Sequence, residues 1–178
     1  MEIEKIAVLG GGQMGAGIAE AAAAGGKAVT LIKATPGPVD KARAGIEKNL
    51  GRLVEKGKLE QDAADGILAR IGFSDSLEAA ADADLVIESI IEDLATKKEK
   101  FAELDSVTTP ECILASNTST LGITEMASAT GRRERFLGLH FFNPATVMKL
   151  VEVIPTGETE ASVTADAVAF AEAIGKTP

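Results

Sequence analysis

Three glycines near the start of the chain have the spacing of a phosphate-binding loop. Gly10, Gly12 and Gly15 form the pattern G-x-G-x-x-G between an apolar run, residues 3–9, and an Ala-rich segment, residues 18–24. The first glycine permits a tight turn, the second lets backbone approach a pyrophosphate, and the third lets helix pack on strand. The helix N-terminus adds free N–H groups and partial positive charge. This setting favours dinucleotide binding over a purely structural glycine turn.

The residue expected to hold the ribose of that dinucleotide is a lysine. An acidic residue about 20 positions after the glycine loop, at the end of the second strand, normally binds the ribose 2′-hydroxyl. Here that place is Lys33, directly after the apolar run 28–32. A lysine cannot accept a hydrogen bond but could pair with a 2′-phosphate, which favours NADP. Alternatively, Lys33 faces solvent and the site discriminates little between NAD and NADP, so the type of nicotinamide cofactor stays open.

The only histidine, His140, lies in an apolar run, residues 136–141, where a lone histidine is often just a core residue. A second run, residues 150–154, follows a connection around Ala145 and Thr146. If the two runs form a hairpin with that turn, His140 and Glu152 are directly opposed, with Cβ atoms about 4.5–5.5 Å apart. A carboxylate bonded to an imidazole fixes its tautomer and raises its basicity. The pattern predicts a general acid or base.

A polar segment, residues 116–120 with the sequence Ser-Asn-Thr-Ser-Thr, follows the apolar run 112–115. Open α/β sheets bind their ligands at the carboxyl ends of the strands, so these hydroxyl and amide groups are candidates to bind substrate or cofactor. The alternative is that they cap the next helical turn, as such residues favour.

A basic stripe lies on a predicted helix, residues 39–56. Lys41, Lys48, Arg52 and Lys56 fall within roughly 80° of one another at 100° per residue. On an acidic protein such a stripe could bind a phosphorylated group such as coenzyme A. The more common interpretation is a solvated helix face.

Strand-like and helix-like segments alternate along the chain, which predicts an α/β fold with a mostly parallel sheet. Pro36 and Pro38 punctuate the connection after the second strand, and two successive helices follow them. The predicted strands are residues 3–9, 28–32, 84–88, 112–115, 136–141 and 150–154, and the predicted helices are residues 18–24, 39–56, 60–69, 94–104 and 160–174.

Composition excludes several classes of protein. The 178 residues are 46% hydrophobic and 25% charged, so the chain can form a core. The net charge of −9 and the absence of Trp and Tyr argue against a nucleic-acid partner. The single cysteine, Cys112, excludes an internal disulfide. Because there is also only one histidine, no Cys/His cluster is available and we expect no metal site. No apolar run is long enough for a membrane span and no secretory signal precedes the first strand, so we expect a cytoplasmic protein without a membrane partner.

Taken together, these segments resemble the N-terminal, NAD-binding domain of the L-3-hydroxyacyl-CoA dehydrogenases, in particular the bacterial 3-hydroxybutyryl-CoA enzymes. The resemblance covers essentially the whole chain, residues 1–178. It implies a Rossmann-like fold with helices on both faces of the sheet, a helical excursion after the second strand, and an antiparallel pair near the C-terminus. It also implies hydride exchange between NAD and C3 of a 3-hydroxyacyl-CoA. The residues that carry it are 10–19, 86–92, 115–119, 138–144 and 148–152.

The resemblance implies a role for individual residues. His140 matches the catalytic base, Glu152 the carboxylate that orients it, and Ser119 a hydroxyl that contacts the substrate oxygen. Asn49 and Lys56 match contacts of coenzyme A, which favours a functional interpretation of the basic stripe. Positions matching the cofactor site, some of which also line the substrate, are Gly10, Gly12, Gln13, Met14, Gly15, Lys33, Glu92, Lys97, Asn117 and Asn143.

Two departures from the family pattern leave alternatives open. Lys33 stands where the family has an acidic residue, so NADP competes with NAD as the expected cofactor. The family's helical C-terminal domain, with its catalytic asparagine and the surface of its homodimer, is expected to be absent from this chain. A non-catalytic cofactor-binding fragment and a related hydroxy-acid dehydrogenase are therefore alternatives. A thioester hydrolase using Ser119, His140 and Glu152 is disfavoured, because no G-x-S-x-G elbow is present.

Overall fold

The computed structural model describes residues 1–34 and 39–178. Pro36 and Pro38, which we expect to punctuate the connection after the second strand, lie outside the described residues. Within the described ranges, no helix is long and apolar enough to cross a membrane.

Strands and helices alternate through the described chain as the apolar pattern predicts. The strands are β1 Lys5–Leu9, β2 Ala28–Ile32, β3 Ile71–Ser74, β4 Leu85–Glu88, β5 Ile113–Ser116, β6 Phe136–Phe141 and β7 Val151–Pro155. The α-helices are α1 Gln13–Ala24, α2 Asp40–Glu55, α3 Gln61–Ala69, α4 Leu94–Val107, α5 Ile123–Ala127 and α6 Ala161–Ala173.

The strands form one sheet in the order β3-β2-β1-β4-β5-β6-β7. All neighbouring pairs are parallel except β6 and β7, which are antiparallel. The strand order reverses between β1 and β4, and such a switch point opens a crevice at the carboxyl ends of the strands. The mostly parallel Rossmann-like sheet, the helical excursion α2–α3 and the antiparallel pair confirm the predicted fold.

The predicted register of the last hairpin is confirmed, because His140 pairs with Glu152 across β6 and β7. The connection is centred near Ala145 and Thr146, as expected. It spans residues 142–150 and contains a cis peptide bond between Asn143 and Pro144.

Two hydrophobic clusters cover the two faces of the sheet. Side chains from α1, α2, α3 and α6, among them Ile18 and Phe170, pack on one face. Side chains from α4 and α5, among them Phe101 and Met126, pack on the other. Successive residues of a strand point to opposite faces, so Val8 belongs to the first cluster and its neighbours belong to the second. The central strands are mostly apolar because both of their faces are buried, and polar exceptions such as Glu88 and Ser116 lie at the strand ends.

Two elements have no clear signal in the sequence. Strand β3 has four residues and lies at the edge of the sheet beside β2. Its sequence is Ile-Gly-Phe-Ser, and only Ile71 is fully buried, so it lacks the apolar run that marks the other strands. Helix α5 has five residues, too few for a helical period to become evident.

Candidate functional site

A cavity of about 880 Å³ opens at the carboxyl edge of the sheet. Residues that directly follow β1, β2, β4 and β5 form its wall, because parallel strands all end at the same edge. These are Gly10, Lys33, Ser89 and Asn117. His140, from the end of β6, completes the wall on the side of the antiparallel pair. The fold therefore brings five segments distant in sequence to one site.

The glycine loop lies in this wall between β1 and α1. Gly10 has φ of 125°, a backbone conformation that side chains rarely adopt, and a Cβ there would lie 2.3 Å from the carbonyl oxygen of Ser89. At Gly15 a Cβ would lie 1.9 Å from the carbonyl oxygen of Gly10. Both positions therefore require glycine so that α1 can approach the ends of β1 and β4.

Gly12 is different, because a Cβ there would meet no protein atom within 4 Å. It is the N-cap of α1, has no side-chain cap and is followed by a first turn without acidic residues. The N–H groups and the positive end of the helix dipole consequently lie at the cavity, with no acidic side chain in the first turn of the helix to neutralise them. This open cradle fits the pyrophosphate of a dinucleotide, for which Gly10, Gly12, Gln13 and Met14 would form the binding loop.

His140 and Glu152 form a hydrogen-bonded pair at the cavity. Nδ1 of His140 lies 2.8 Å from Oε2 of Glu152, as their opposed positions in the hairpin require. The His140 ring also packs on Phe142, with centroids 4.6 Å apart. The His140 side chain is 17% exposed and that of Glu152 is 50% exposed. Because Glu152 engages Nδ1, Nε2 is the ring nitrogen left to exchange a proton with a ligand.

Asn117 connects three strands at the floor of the cavity. Its Oδ1 accepts a 2.8 Å bond from the backbone N–H of Phe141, and its Nδ2 donates to Oγ of Ser89 at 3.3 Å. Its own backbone N–H donates to the carbonyl of Glu88 at 2.8 Å. Asn117 thus ties β5 to β4 and β6, and it lines the cavity together with the exposed Ser119.

The alternative that this polar segment caps the next helix is wrong for α5, whose N-cap is Gly122. Thr118 instead stabilises a local turn, since its hydroxyl accepts from the N–H groups of Thr120 and Leu121. The same hydroxyl donates to Glu92. Asn117 and Ser119, on either side of Thr118, line the cavity.

Glu92 and Lys97 form the wall beyond β4. Nζ of the buried Lys97 lies 3.3 Å from Oε2 of Glu92 and 2.5 Å from Oε1 of Glu88. Burial of Glu92 acts to raise the pKa of its carboxyl. The hydrogen bond from Thr118 and the charge of Lys97 outweigh that effect, so the pKa lies below its ordinary value. Glu92 is therefore an anion that fixes the position of its neighbours.

Most of the predicted site residues meet at the cavity. Gly15 lies beneath the loop and Glu152 lies behind His140. Asn49 and Lys56 are outside the lining: Nδ2 of Asn49 donates to the buried Glu20 at 2.6 Å, and Lys56 caps the C-terminus of α2. The predicted residues that line the cavity are Gly10, Gly12, Gln13, Met14, Lys33, Glu92, Lys97, Asn117, Ser119, His140 and Asn143.

Several lining residues were not among those predicted for the site. Ser89 and Ile90 directly follow β4. The rule that ligands bind at the carboxyl ends of the strands, which identified the segment after β5, therefore predicts them as well. Thr96, Lys100 and Phe142 carry no comparable signal. Lys41, at the start of the basic stripe, also reaches the cavity. Among the residues that the structure describes, no group of three or more His, Cys, Asp or Glu side chains could hold a metal ion.

The parallel sheet, its switch point, the glycine loop and the uncapped helix N-terminus together define a dinucleotide-binding α/β domain. Comparison with known proteins gives the family. The chain belongs to the family of the 3-hydroxyacyl-CoA dehydrogenase NAD-binding domain, whose model matches residues 5–178.

Individual relatives support that membership. The chain is 46% identical over 177 residues to a probable 3-hydroxybutyryl-CoA dehydrogenase of Bacillus subtilis, covering 99% of this chain and 62% of the relative. It is 43% identical over 182 residues to human mitochondrial hydroxyacyl-coenzyme A dehydrogenase, covering 99% of this chain and 58% of the relative. Its fold matches the crystal structure of (S)-3-hydroxybutyryl-CoA dehydrogenase from Ralstonia eutropha with a TM-score of 0.96 at 37% identity. The match covers 99% of this chain and 62% of that chain. The chain thus spans about three fifths of the length of these relatives.

Proposed function

We propose that this domain takes part in the interconversion of a short-chain 3-hydroxyacyl-CoA and its 3-ketoacyl-CoA, with 3-hydroxybutyryl-CoA as the favoured substrate. The observation that carries the proposal is the His140–Glu152 pair at the cavity that the glycine loop also lines. A dinucleotide loop alone supports cofactor binding. A tautomer-fixed imidazole in the same cavity adds the proton transfer that oxidation of an alcohol requires.

The nicotinamide, when bound, supplies or accepts the hydride. His140 acts at Nε2, which takes the hydroxyl proton during oxidation and returns it during reduction. Glu152 accepts the Nδ1–H bond and stabilises the ring as it gains positive charge. Ser119 offers a hydroxyl at the same wall, where we propose that it contacts the substrate oxygen. Asn117 and Asn143 complete this wall and help to orient the two ligands.

We propose that the domain accepts NADP(H) as well as NAD(H), whose use is supported by the match to an NAD-binding domain. Lys33 and Lys41 both lie in the cavity wall, and Lys33 directly follows β2, where the ribose-binding residue is expected. Two ammonium groups favour a 2′-phosphate, whereas neither can accept a hydrogen bond from a 2′-hydroxyl.

For the coenzyme A portion we propose Lys56 together with Lys48 and Arg52 of the basic stripe on α2. Lys48, Arg52 and Lys56 are all exposed and can meet phosphate groups. Asn49 lies on the same helix, but its amide already donates to Glu20. We therefore propose that Asn49 offers its carbonyl oxygen to the ligand.

We further propose, from the resemblance to the family, that a helical domain completes the active site and forms a homodimer; the relatives extend well beyond the matched region. The proposed location is the cytoplasm. A cofactor-binding domain without catalysis of its own is the alternative function, and the experiment below distinguishes the two.

The first experiment measures absorbance at 340 nm with this chain and acetoacetyl-CoA, using NADH in one reaction and NADPH in another. Each reaction is repeated with His140→Gln, which preserves size and polarity but cannot act as the general acid. Turnover by the wild type that falls at least about 100-fold in the variant supports the proposal. Equal turnover by both proteins would refute the role of His140.

Binding is measured in parallel from the fluorescence of NADH and NADPH. Binding by both proteins without turnover by either supports the cofactor-binding alternative for this chain alone. No binding by the wild type would reject both functions.

A further inference from the structure

Glu88, the last residue of β4, carries a carboxylate that is completely buried beneath the cavity. The side chain of its partner, Lys97 on α4, is 1% exposed. Removing two opposite charges from water carries a large desolvation cost for each charge, and a well-packed apolar pair is often at least as stable. The burial of this ion pair is therefore weak evidence that the pair stabilises the fold. The role of Glu88 is better inferred from its contacts with the residues of the cavity wall.

The carboxylate of Glu88 accepts hydrogen bonds from three donors in three segments. Oε1 accepts from Nζ of Lys97 at 2.5 Å and from the backbone N–H of Ile90 at 2.7 Å. Oε2 accepts from the hydroxyl of Ser116, at the end of β5, at 2.6 Å. One carboxylate thus connects the ends of β4 and β5 with helix α4.

Both branches of this network lead to the same cavity segment. Oγ of Ser116 accepts from the backbone N–H of Thr118 at 3.3 Å. On the other branch, Lys97 contacts Glu92, which accepts from the hydroxyl of Thr118. Thr118 is therefore held from two sides, and each side leads back to Glu88.

The residues held by Glu88 adjoin or form the cavity wall. Ile90 and Lys97 line the cavity directly, and so do Asn117 and Ser119, which flank Thr118. A change at Glu88 would disturb both branches at once, because no other side chain in the described part of the structure is bonded to both Lys97 and Ser116.

We propose that Glu88 is a positioning residue, whose buried carboxylate holds the Ile90–Lys97 wall and the 116–119 segment in the arrangement that a nicotinamide dinucleotide requires. It does not touch the cofactor itself and acts through Lys97, Ile90 and Ser116. This inference rests on the proposed binding of a dinucleotide and extends it to a residue below the cavity.

The test compares Glu88→Gln with a matched control, Asp105→Asn, on the chain as it exists. Asp105 lies in the same helix as Lys97, and the Asp105→Asn variant also loses an ion pair, with Arg132 at 2.6 Å, but Asp105 does not line the cavity. NADH affinity is measured by fluorescence at a temperature where melting curves show each protein to be folded. We expect Glu88→Gln to bind NADH about fivefold more weakly or worse, within the usual range for coupled sites. Asp105→Asn should bind like the wild type even where its melting temperature falls.

Ser116→Ala provides a second variant if Glu88→Gln does not fold. It removes only the contact to Oε2, so we expect a smaller loss of NADH affinity in the same direction. Wild-type affinity in a folded Glu88→Gln or, failing that, in Ser116→Ala would overturn the inference, as would an equal loss in Asp105→Asn. If the wild type itself does not bind NADH, the proposed function fails, and the inference that rests on it fails too.

Discussion

Replacing Gly12 by alanine adds one methyl group at the point where the cavity meets the N-terminus of α1. The backbone there has φ of −75° and ψ of −177°, which alanine adopts without strain. The added Cβ meets no protein atom within 4 Å. The substitution therefore perturbs the open space in front of the helix and leaves the packing of the protein unchanged.

The expected cost in stability is small. Alanine is a poorer N-cap than glycine, which costs about 1 kcal/mol or less. For a domain of this size that corresponds to a fall in melting temperature of about 2–4 °C. The expected cost in binding is larger, because the methyl group occupies the space through which a pyrophosphate approaches the backbone. We expect NADH affinity to fall at least tenfold, or about 1.4 kcal/mol.

The assay pairs NADH fluorescence titration with thermal melting for three alanine variants. Gly45, in the exposed face of α2, also has no atom within 4 Å of a new Cβ, and Gly45→Ala should gain about 0.5–1 kcal/mol in stability with unchanged NADH affinity. Gly15→Ala should lose about 1–3 kcal/mol or more, because its Cβ would lie 1.9 Å from the carbonyl oxygen of Gly10. Full NADH affinity in a folded Gly12→Ala protein would refute the assignment of this space to the cofactor.

Three further predictions concern charge and burial. Lys33→Asp should lower the ratio of NADPH to NADH affinity about tenfold, since a carboxylate repels a 2′-phosphate and binds a 2′-hydroxyl; an unchanged ratio in fluorescence titrations would exclude Lys33 from the ribose site. Burial raises the pKa of the Cys112 thiol to about 11, so a colorimetric thiol reagent at pH 8 should react only after the chain unfolds, and rapid labelling of the native protein would contradict this. Burial also raises the pKa of Glu20 above 4.5, against the hydrogen bond from Asn49. The folded state then holds that proton more tightly than the unfolded chain, so this contribution to stability is complete below pH 4.5 and is lost as the pH rises through the raised pKa. The free energy of unfolding of Glu20→Gln, measured in urea, should therefore rise relative to that of the wild type as the pH increases from 4 to 7. A difference between the two proteins that stays constant over this range would argue against the raised pKa.

The positions of most cavity residues could be predicted because they depend on local patterns and one topological rule. Apolar runs separated by helical segments indicate a parallel sheet, and parallel strands end at a common edge. From that rule alone, the glycine loop after β1 and the polar segment after β5 belong to one site. The pairing of His140 with Glu152 was also predictable, because a hairpin allows few registers and only one opposes these two residues.

Contacts between elements could not be predicted, because they depend on how helices pack on the sheet. Asn49 illustrates this, since its amide bonds to Glu20 on a different helix. Strand β3 forms although its sequence has no strong strand signal, because β2 offers an unpaired edge beside it. The chemistry of Lys97 is likewise set by Glu88, nine residues earlier, which becomes its partner only when α4 packs on the sheet.

The sequence by itself thus determined the alternation of elements, the glycine loop, the register of the last hairpin and the family. The first three rest on periodicity and spacing, which are properties of short segments, whereas the family is inferred from a resemblance of several segments to known proteins. Only the tertiary structure decided that Lys41 joins Lys33 at the cavity and that Glu88 holds Lys97 and Ser116 beneath it. Burial and charge pairing depend on which side chains share a space, and that becomes defined only when the sheet and its helices have packed.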